Sequence, residues 1–174
     1  MSKKIFIFTI IIALVAVFMF NLTQAIERFV DNGDGTVTDS QTGLMWAKSS
    51  SPGDLAWEDA ATYCKTPAIA GYKYSDWRLP TIEELKTLYI KDVKGYETDC
   101  GLNVRVDPIF ELTCAWFWSS DLPATPQSSE KRKVRKVRSV MAYVFSLERG
   151  YKYADRMVHK KNMRALPVRG PMKK

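Results

Sequence analysis

Ten residues, Asp76-Trp77-Arg78-Leu79-Pro80-Thr81-Ile82-Glu83-Glu84-Leu85, restrict the architecture of this chain more than any other stretch. Trp77 and Leu79 alternate with Arg78 as a strand would. Pro80 has no N–H to donate and stops the ladder there. Thr81 follows as an N-cap with Glu84 three residues on, the spacing of a capping box in which hydroxyl and carboxylate each satisfy an orphan amide. One short window therefore predicts a strand end, a break and a helix start. The helix is expected from Thr81 to about Ile90. Ile82, Leu85, Leu88 and Tyr89 form its buried stripe, with Glu83, Glu84 and Lys86 outside.

The surrounding pattern is α+β. Phe29-Val30-Asp31 and Thr36-Val37-Thr38-Asp39 flank Asn32-Gly33-Asp34-Gly35, a turn sequence that supplies positive φ angles. A second turn at Asp39–Gly43 leads to Leu44-Met45-Trp46-Ala47, so an antiparallel meander is expected. Asp31, Asp34 and Asp39 lack the alternating acids and closing glutamate of an EF-hand, and turn chemistry explains them better than calcium. Asp54 is placed to cap a helix to about Lys65, with Trp57, Ala60, Ala61 and Cys64 on its apolar face. Lys91–Thr113 is weakly periodic and reads as long loops. Trp116–Ser120, Met141–Leu147, Tyr151–Tyr153 and Arg164–Arg169 read as strands, the middle two joined by the Arg149-Gly150 turn. Two early helices with strands at both chain ends suit two helices packed on a small antiparallel sheet with long loops, the two ends paired in one sheet.

Residues 1–25 are set apart. Lys3 and Lys4 precede an uncharged run from Ile5 to Phe20, followed by a polar exit ending at Ala25. This is the layout of a signal peptide, and the run falls short of the roughly 20 residues that span a bilayer. Residues 26–174 then form one exported domain, secreted, periplasmic or at the cell surface, touching a membrane only if the leader stays uncleaved. The whole chain carries +7 and the leader holds two lysines and no acid, which leaves +5. Export permits disulfides. Of the three cysteines, Cys100 and Cys114 suit a loop-closing bridge, and Cys64 reads as a buried small hydrophobe. A single histidine and no Cys-x-x-Cys argue against zinc, and no cofactor is expected.

Taken in order, Arg28–Asp39, Thr42-Gly43-Leu44-Met45-Trp46, Ala60-Ala61-Thr62-Tyr63-Cys64, Asp76–Thr81, Trp118-Ser119-Ser120 and Val168-Arg169-Gly170 resemble the Lcl C-terminal domain family, named for a collagen-like adhesin. The resemblance spans about residues 28–170. It implies a fold similar to C-type lectins and formylglycine-generating enzymes, export, and binding of sulfated polysaccharides. The chain departs from the family pattern in lacking a cysteine near the last strand to partner Cys64 and in carrying an insert-like basic run; the collagen-like repeats of the adhesin are also absent.

The densest charge feature is Glu130–Arg138, in which Lys131, Arg132, Lys133, Arg135, Lys136 and Arg138 place six cations in nine residues. This is an electrostatic footprint for a polyanion, and export argues against nucleic acid. The competing reading is a solvated loop or a charge-guarded edge strand. Among Trp116, Phe117, Trp118, Tyr143, Tyr151 and Tyr153, the surface candidates for stacking on sugar rings are Trp118, Tyr151 and Tyr153, while Trp46, Trp57 and Trp77 belong to the core. Triplets of the calcium-lectin kind are absent. Enzyme chemistry is not expected: His159 lies in a Lys-rich segment, and Ser119-Ser120 have no evident base. A pocket gathering Asp76, Glu83 or Asp107 would revive it. The expected function is binding of an anionic polysaccharide or cell-surface glycan through the cationic run with aromatic support. The alternative is a structural or protein-interaction module of the cell envelope.

Overall fold

The computed structural model describes residues 27–65, 67, 73–123 and 141–171. The leader and the cationic run, with Lys131, Arg132, Lys133, Arg135, Lys136 and Arg138, lie outside the described residues.

The meander forms as its turns require. β1 (Phe29–Asp31) and β2 (Thr36–Asp39) pair antiparallel, and β2 pairs with β3 (Met45–Ala47). Gly33 and Gly35 hold φ of 75° and 84°, the left-handed region that side chains avoid. The Asp31 carboxylate accepts from the Gly33 amide at 2.9 Å, and Asp34 accepts from the Thr36 amide and hydroxyl. These acids are spent on the turn. The last strand, β10 (Val168–Arg169), pairs antiparallel with β3, so the sheet order is β1-β2-β3-β10 and both ends of the fold share one sheet.

A second sheet has the order β8-β7-β6-β9, built from β6 (Trp116–Trp118), β7 (Met141–Ser146), β8 (Tyr151–Arg156) and β9 (Met163–Arg164). Its β6–β9 pair is parallel, where the sequence suggested antiparallel pairing throughout. The single strand expected over Arg164–Arg169 is in fact two. Arg164 ends a strand in the second sheet and Val168 begins one in the first, and Pro167 between them has no amide to bond. The Lys91–Thr113 region contains a small hairpin of β4 (Tyr96–Glu97) and β5 (Asn103–Val104).

α1 spans Trp57–Lys65 and α2 spans Ile82–Leu88. Among the described residues no helix is long and apolar enough to cross a membrane. Each helix covers one face of the second sheet. Side chains alternate along a strand, so Phe117 and Phe145 face one core with Leu85, Leu88, Trp46 and Val168, while Trp118, Ala142 and Val144 face another with Ala60 and Cys64. The second sheet is thus covered on both faces over β6, β9 and most of β7, while β8 is largely exposed.

The Thr81 capping box forms as expected: the hydroxyl accepts from the Glu84 amide at 3.2 Å, and the Glu84 carboxylate accepts from the Thr81 amide at 2.8 Å. Glu84 itself is not outside. It is 4% exposed and takes both ends of the Arg78 guanidinium at 2.7 and 2.8 Å. Arg78 also donates to the Gly170 carbonyl, so the cap of α2 is tied to the end of β10. α2 stops at Leu88, because Tyr89 has extended backbone angles. Asp54 does not cap α1. Its carboxylate accepts from the buried Arg164 guanidinium and from the Asn162 amide at 3.1 Å. A buried cation with no acid in its own strand requires one from elsewhere.

Cys100 and Cys114 are bridged, with Cα atoms 5.3 Å apart. Cys64 is free and buried, and burial pushes its thiol pKa up, so it is an inert packing group. The bridge closes a loop of about 15 residues, worth about 3 kcal/mol in the chain-entropy model. Urea unfolding with and without reductant should differ by about that amount, and superimposable curves would show that the loop is held by packing alone.

Candidate ligand-binding face

β8 is the edge strand of the second sheet, and its two sides differ in chemistry. Tyr151 and Tyr153 lie on the side that faces α1; Lys152, Ala154 and Arg156 lie on the other. In register, Tyr151 sits opposite Ser146, which sits opposite Trp116. The row ends in an aromatic cluster. The Trp116 ring meets Tyr151 edge-to-face at 6.0 Å and Tyr153 at 5.0 Å. Tyr151 is 44% exposed, and Trp116 and Tyr153 are half-buried. Burial raises the Tyr153 hydroxyl pKa, and the neighbouring Asp155 carboxylate, to which the phenol donates, raises it further, so the phenol stays protonated.

Of the three aromatic surface candidates, Tyr151 and Tyr153 are in this cluster and Trp118 is not. Trp118 is fully buried, and its indole N–H donates to the Leu55 carbonyl at 2.8 Å. The correction follows from the sheet. Trp116 and Trp118 point to the same face, but α1 crosses it over Trp118 and leaves Trp116 at the rim. Alternation alone distinguishes neither tryptophan, since only the helix position separates them. Trp57, expected in the core, is half-buried with its N–H on the Ser119 carbonyl at 2.8 Å. Trp46 and Trp77 are buried as expected.

Lys152 is exposed and lies over the Tyr143 ring, 4.6 Å from its centroid. Among the described residues neither Lys152 nor Arg156 has an ion-pair partner, whereas Arg149 is 3.5 Å from Glu148. Arg156 is paired in register with Met141, the first described residue after the cationic run. Met141 and Arg156 stand at the end of the sheet opposite to Trp116 and Tyr151.

The carboxylates named for enzyme chemistry do not converge. Asp76 is paired with Arg169 at 2.7 Å, and that guanidinium holds its carboxyl below the usual range. Glu83 is paired with Lys86, and Asp107 accepts from the Ile109 amide at 2.9 Å. Among the described residues no three His, Cys, Asp or Glu side chains gather to hold a metal. A shallow cavity of about 340 Å³ is lined by Glu27, Arg28, Phe29, Asp107 and Ile109. Its one cation, Arg28, is already committed to the buried Asp39 at 2.8 Å. His159 is exposed and bonds Asp155 at 2.7 Å.

An α+β domain with, among the described residues, two helices and an exposed edge strand is the class that this geometry defines. The family model of the Lcl C-terminal domain matches residues 35–169, well over half of the chain, and the protein belongs to that family. A search of the curated proteins finds no match to it.

Proposed function

We propose that this is an exported, non-catalytic binding domain with a C-type-lectin-like fold, whose ligand is an anionic polysaccharide of the cell surface or envelope. Family membership supports an adhesin-type role. The pairing of both chain ends in one sheet supports the lectin-like comparison, and fold likeness alone transfers no function. The observation that carries the ligand class is the density of cations in the run from Lys131 to Arg138. Met141, the first described residue after it, is half-buried and pairs in register with the exposed Arg156. These six cations fall within nine residues of a domain whose net charge after removal of the leader is +5 in all, and such density concentrates polyanions through long-range attraction.

The test is elution from immobilised heparin. A variant with Lys131, Arg132, Lys133, Arg135, Lys136 and Arg138 changed to Gln should elute at markedly lower salt than the natural sequence. Both forms should keep the same unfolding midpoint. Coincident elution at unchanged stability would remove the anionic ligand from this reading.

A further inference from the structure

We infer that Asn32 is a site of spontaneous deamidation and that its own turn guards it: the Asp31 carboxylate and the Thr36 and Thr38 hydroxyls restrain the two reacting groups while the chain is folded. The inference concerns the first sheet and is independent of the ligand proposed above.

Asn32-Gly33 is the one Asn-Gly pair in the sequence. Glycine has no Cβ, so its amide nitrogen can approach the preceding side chain with little hindrance. In the reaction, the Gly33 nitrogen gives its proton to hydroxide and attacks Cγ of Asn32. The new N–C bond closes a five-membered imide. The bond from Cγ to Nδ2 breaks, and Nδ2 takes a proton from water and leaves as ammonia. One water then opens the ring at either carbonyl, leaving aspartate or isoaspartate at position 32. The balance is one water consumed and one ammonia released, and no oxidant or reductant takes part. Asn32 and Gly33 are exposed, and a Cβ on Gly33 would meet nothing within 4 Å, so water reaches both.

Two sets of contacts oppose ring closure. The first acts on the nucleophile. The Gly33 amide donates to the Asp31 carboxylate at 2.9 Å. Loss of that proton would set a negative nitrogen against a negative carboxylate, which repulsion between like charges disfavours. The same hydrogen bond, ahead of Lys48, holds the Asp31 carboxyl below the usual carboxylate range. The second set acts on the electrophile. The Asn32 carboxamide donates to the Thr36 hydroxyl at 2.8 Å and to the Thr38 hydroxyl at 3.0 Å, and the Thr38 hydroxyl lies 3.3 Å from its oxygen. Attack on Cγ requires the carboxamide to leave both hydroxyls and turn back over its own main chain. Thr36 and Thr38 belong to β2, so the restraint lasts only while β1 and β2 are paired.

The products undo what protected the reactant. A carboxylate at position 32 has no N–H for either hydroxyl, and it adds a third negative charge beside Asp31 and Asp34. The iso form also inserts a methylene into the backbone of the turn. Both weaken the pairing of β1 with β2, and β1 carries Phe29, whose ring meets Phe110 edge-to-face at 5.2 Å.

The experiment is incubation of the purified protein at mildly alkaline pH, with deamidation at Asn32 followed by peptide mass mapping and by enzymatic methylation of isoaspartate. The folded protein should react at least about tenfold more slowly than the same protein in unfolding urea, as expected of two ordinary hydrogen bonds. Asp31→Ala and Thr38→Val, each held below its own thermal midpoint, should each react about fivefold faster than the natural sequence, the effect of one such bond. Lys48→Gln is the control. It removes the 3.0 Å ion pair with Asp31 and leaves the Asp31–Gly33 contact in place, so its rate should match the natural one. Equal rates in the folded and unfolded protein would overturn the inference, as would folded variants no faster than the natural sequence. Acceleration by Lys48→Gln as large as that of Asp31→Ala would overturn it too, because general loosening of the hairpin would then account for the rate.

Discussion

Gly95→Ala is expected to destabilise the domain by about 3–4 kcal/mol, the sum of a left-handed backbone cost and a rigid overlap. Gly95 holds φ at 70°, and a Cβ placed there would stand 1.9 Å from the Val104 carbonyl oxygen and 2.8 Å from its carbon. Both atoms are backbone of β5, so no side chain can swing aside. The β4–β5 hairpin would have to open, and with it the backing of Val104, Val106 and Phe110 in the larger core. Gly101 provides the control. Its φ is 76° but nothing lies within 4 Å of its added Cβ, so Gly101→Ala should cost only the backbone term, about 1 kcal/mol. Thermal unfolding should show a fall of about 10 °C for the first variant and a few degrees for the second. Equal shifts would mean that the hairpin yields freely.

Glu84→Ala is the second large effect, expected at about 3 kcal/mol. The change removes the acceptor of two guanidinium bonds and of the Thr81 amide. The loss stays at the low end for a broken buried pair because the Arg78 side chain is 40% exposed and can rehydrate. Glu84→Gln keeps an acceptor for the cap but not the charge, and should cost about half as much. The same group sets part of the pH dependence. Burial raises the Glu84 pKa, but the Arg78 guanidinium and the Thr81 amide outweigh it and the net displacement is downward; Asp39 behaves alike through Arg28 and Thr42. A carboxyl whose folded pKa is depressed contributes stability that is complete above its unfolded value and vanishes as pH falls through the folded one. Stability should therefore hold at neutral pH and decline below the ordinary carboxylate range. Glu84→Gln should flatten that decline, and an unchanged acid limb in urea titrations would assign it to other groups.

The local elements of this fold were legible because each is encoded by neighbours in sequence. The Asn32–Gly35 turn, the meander, the stripe of α2 and its Thr81–Glu84 cap all depend on contacts within a few residues. The Cys100–Cys114 bridge was legible from spacing and export. What failed were readings that depend on a distant partner. Glu84 looked like a surface acid because Arg78, which donates to both of its carboxylate oxygens, lies outside the helix and is itself held by the Gly170 carbonyl 92 residues away. Asp54 looked like a helix cap because its partner, Arg164, lies 110 residues away.

The candidate site divides along the same line. That β8 would carry Tyr151, Lys152 and Tyr153 in alternation, and that six cations would precede β7, is written in residue order. That Trp116 completes the cluster while Trp118 is sealed beneath α1 is not, because two residues of one strand pointing the same way differ only in what packs over them. Sequence alone determined the turns, caps, strand faces and charge density, each fixed by backbone geometry over a few residues. Only the tertiary structure decided which aromatic rings meet solvent and which charges are paired, because burial is a property of the neighbours a side chain acquires when distant segments pack together.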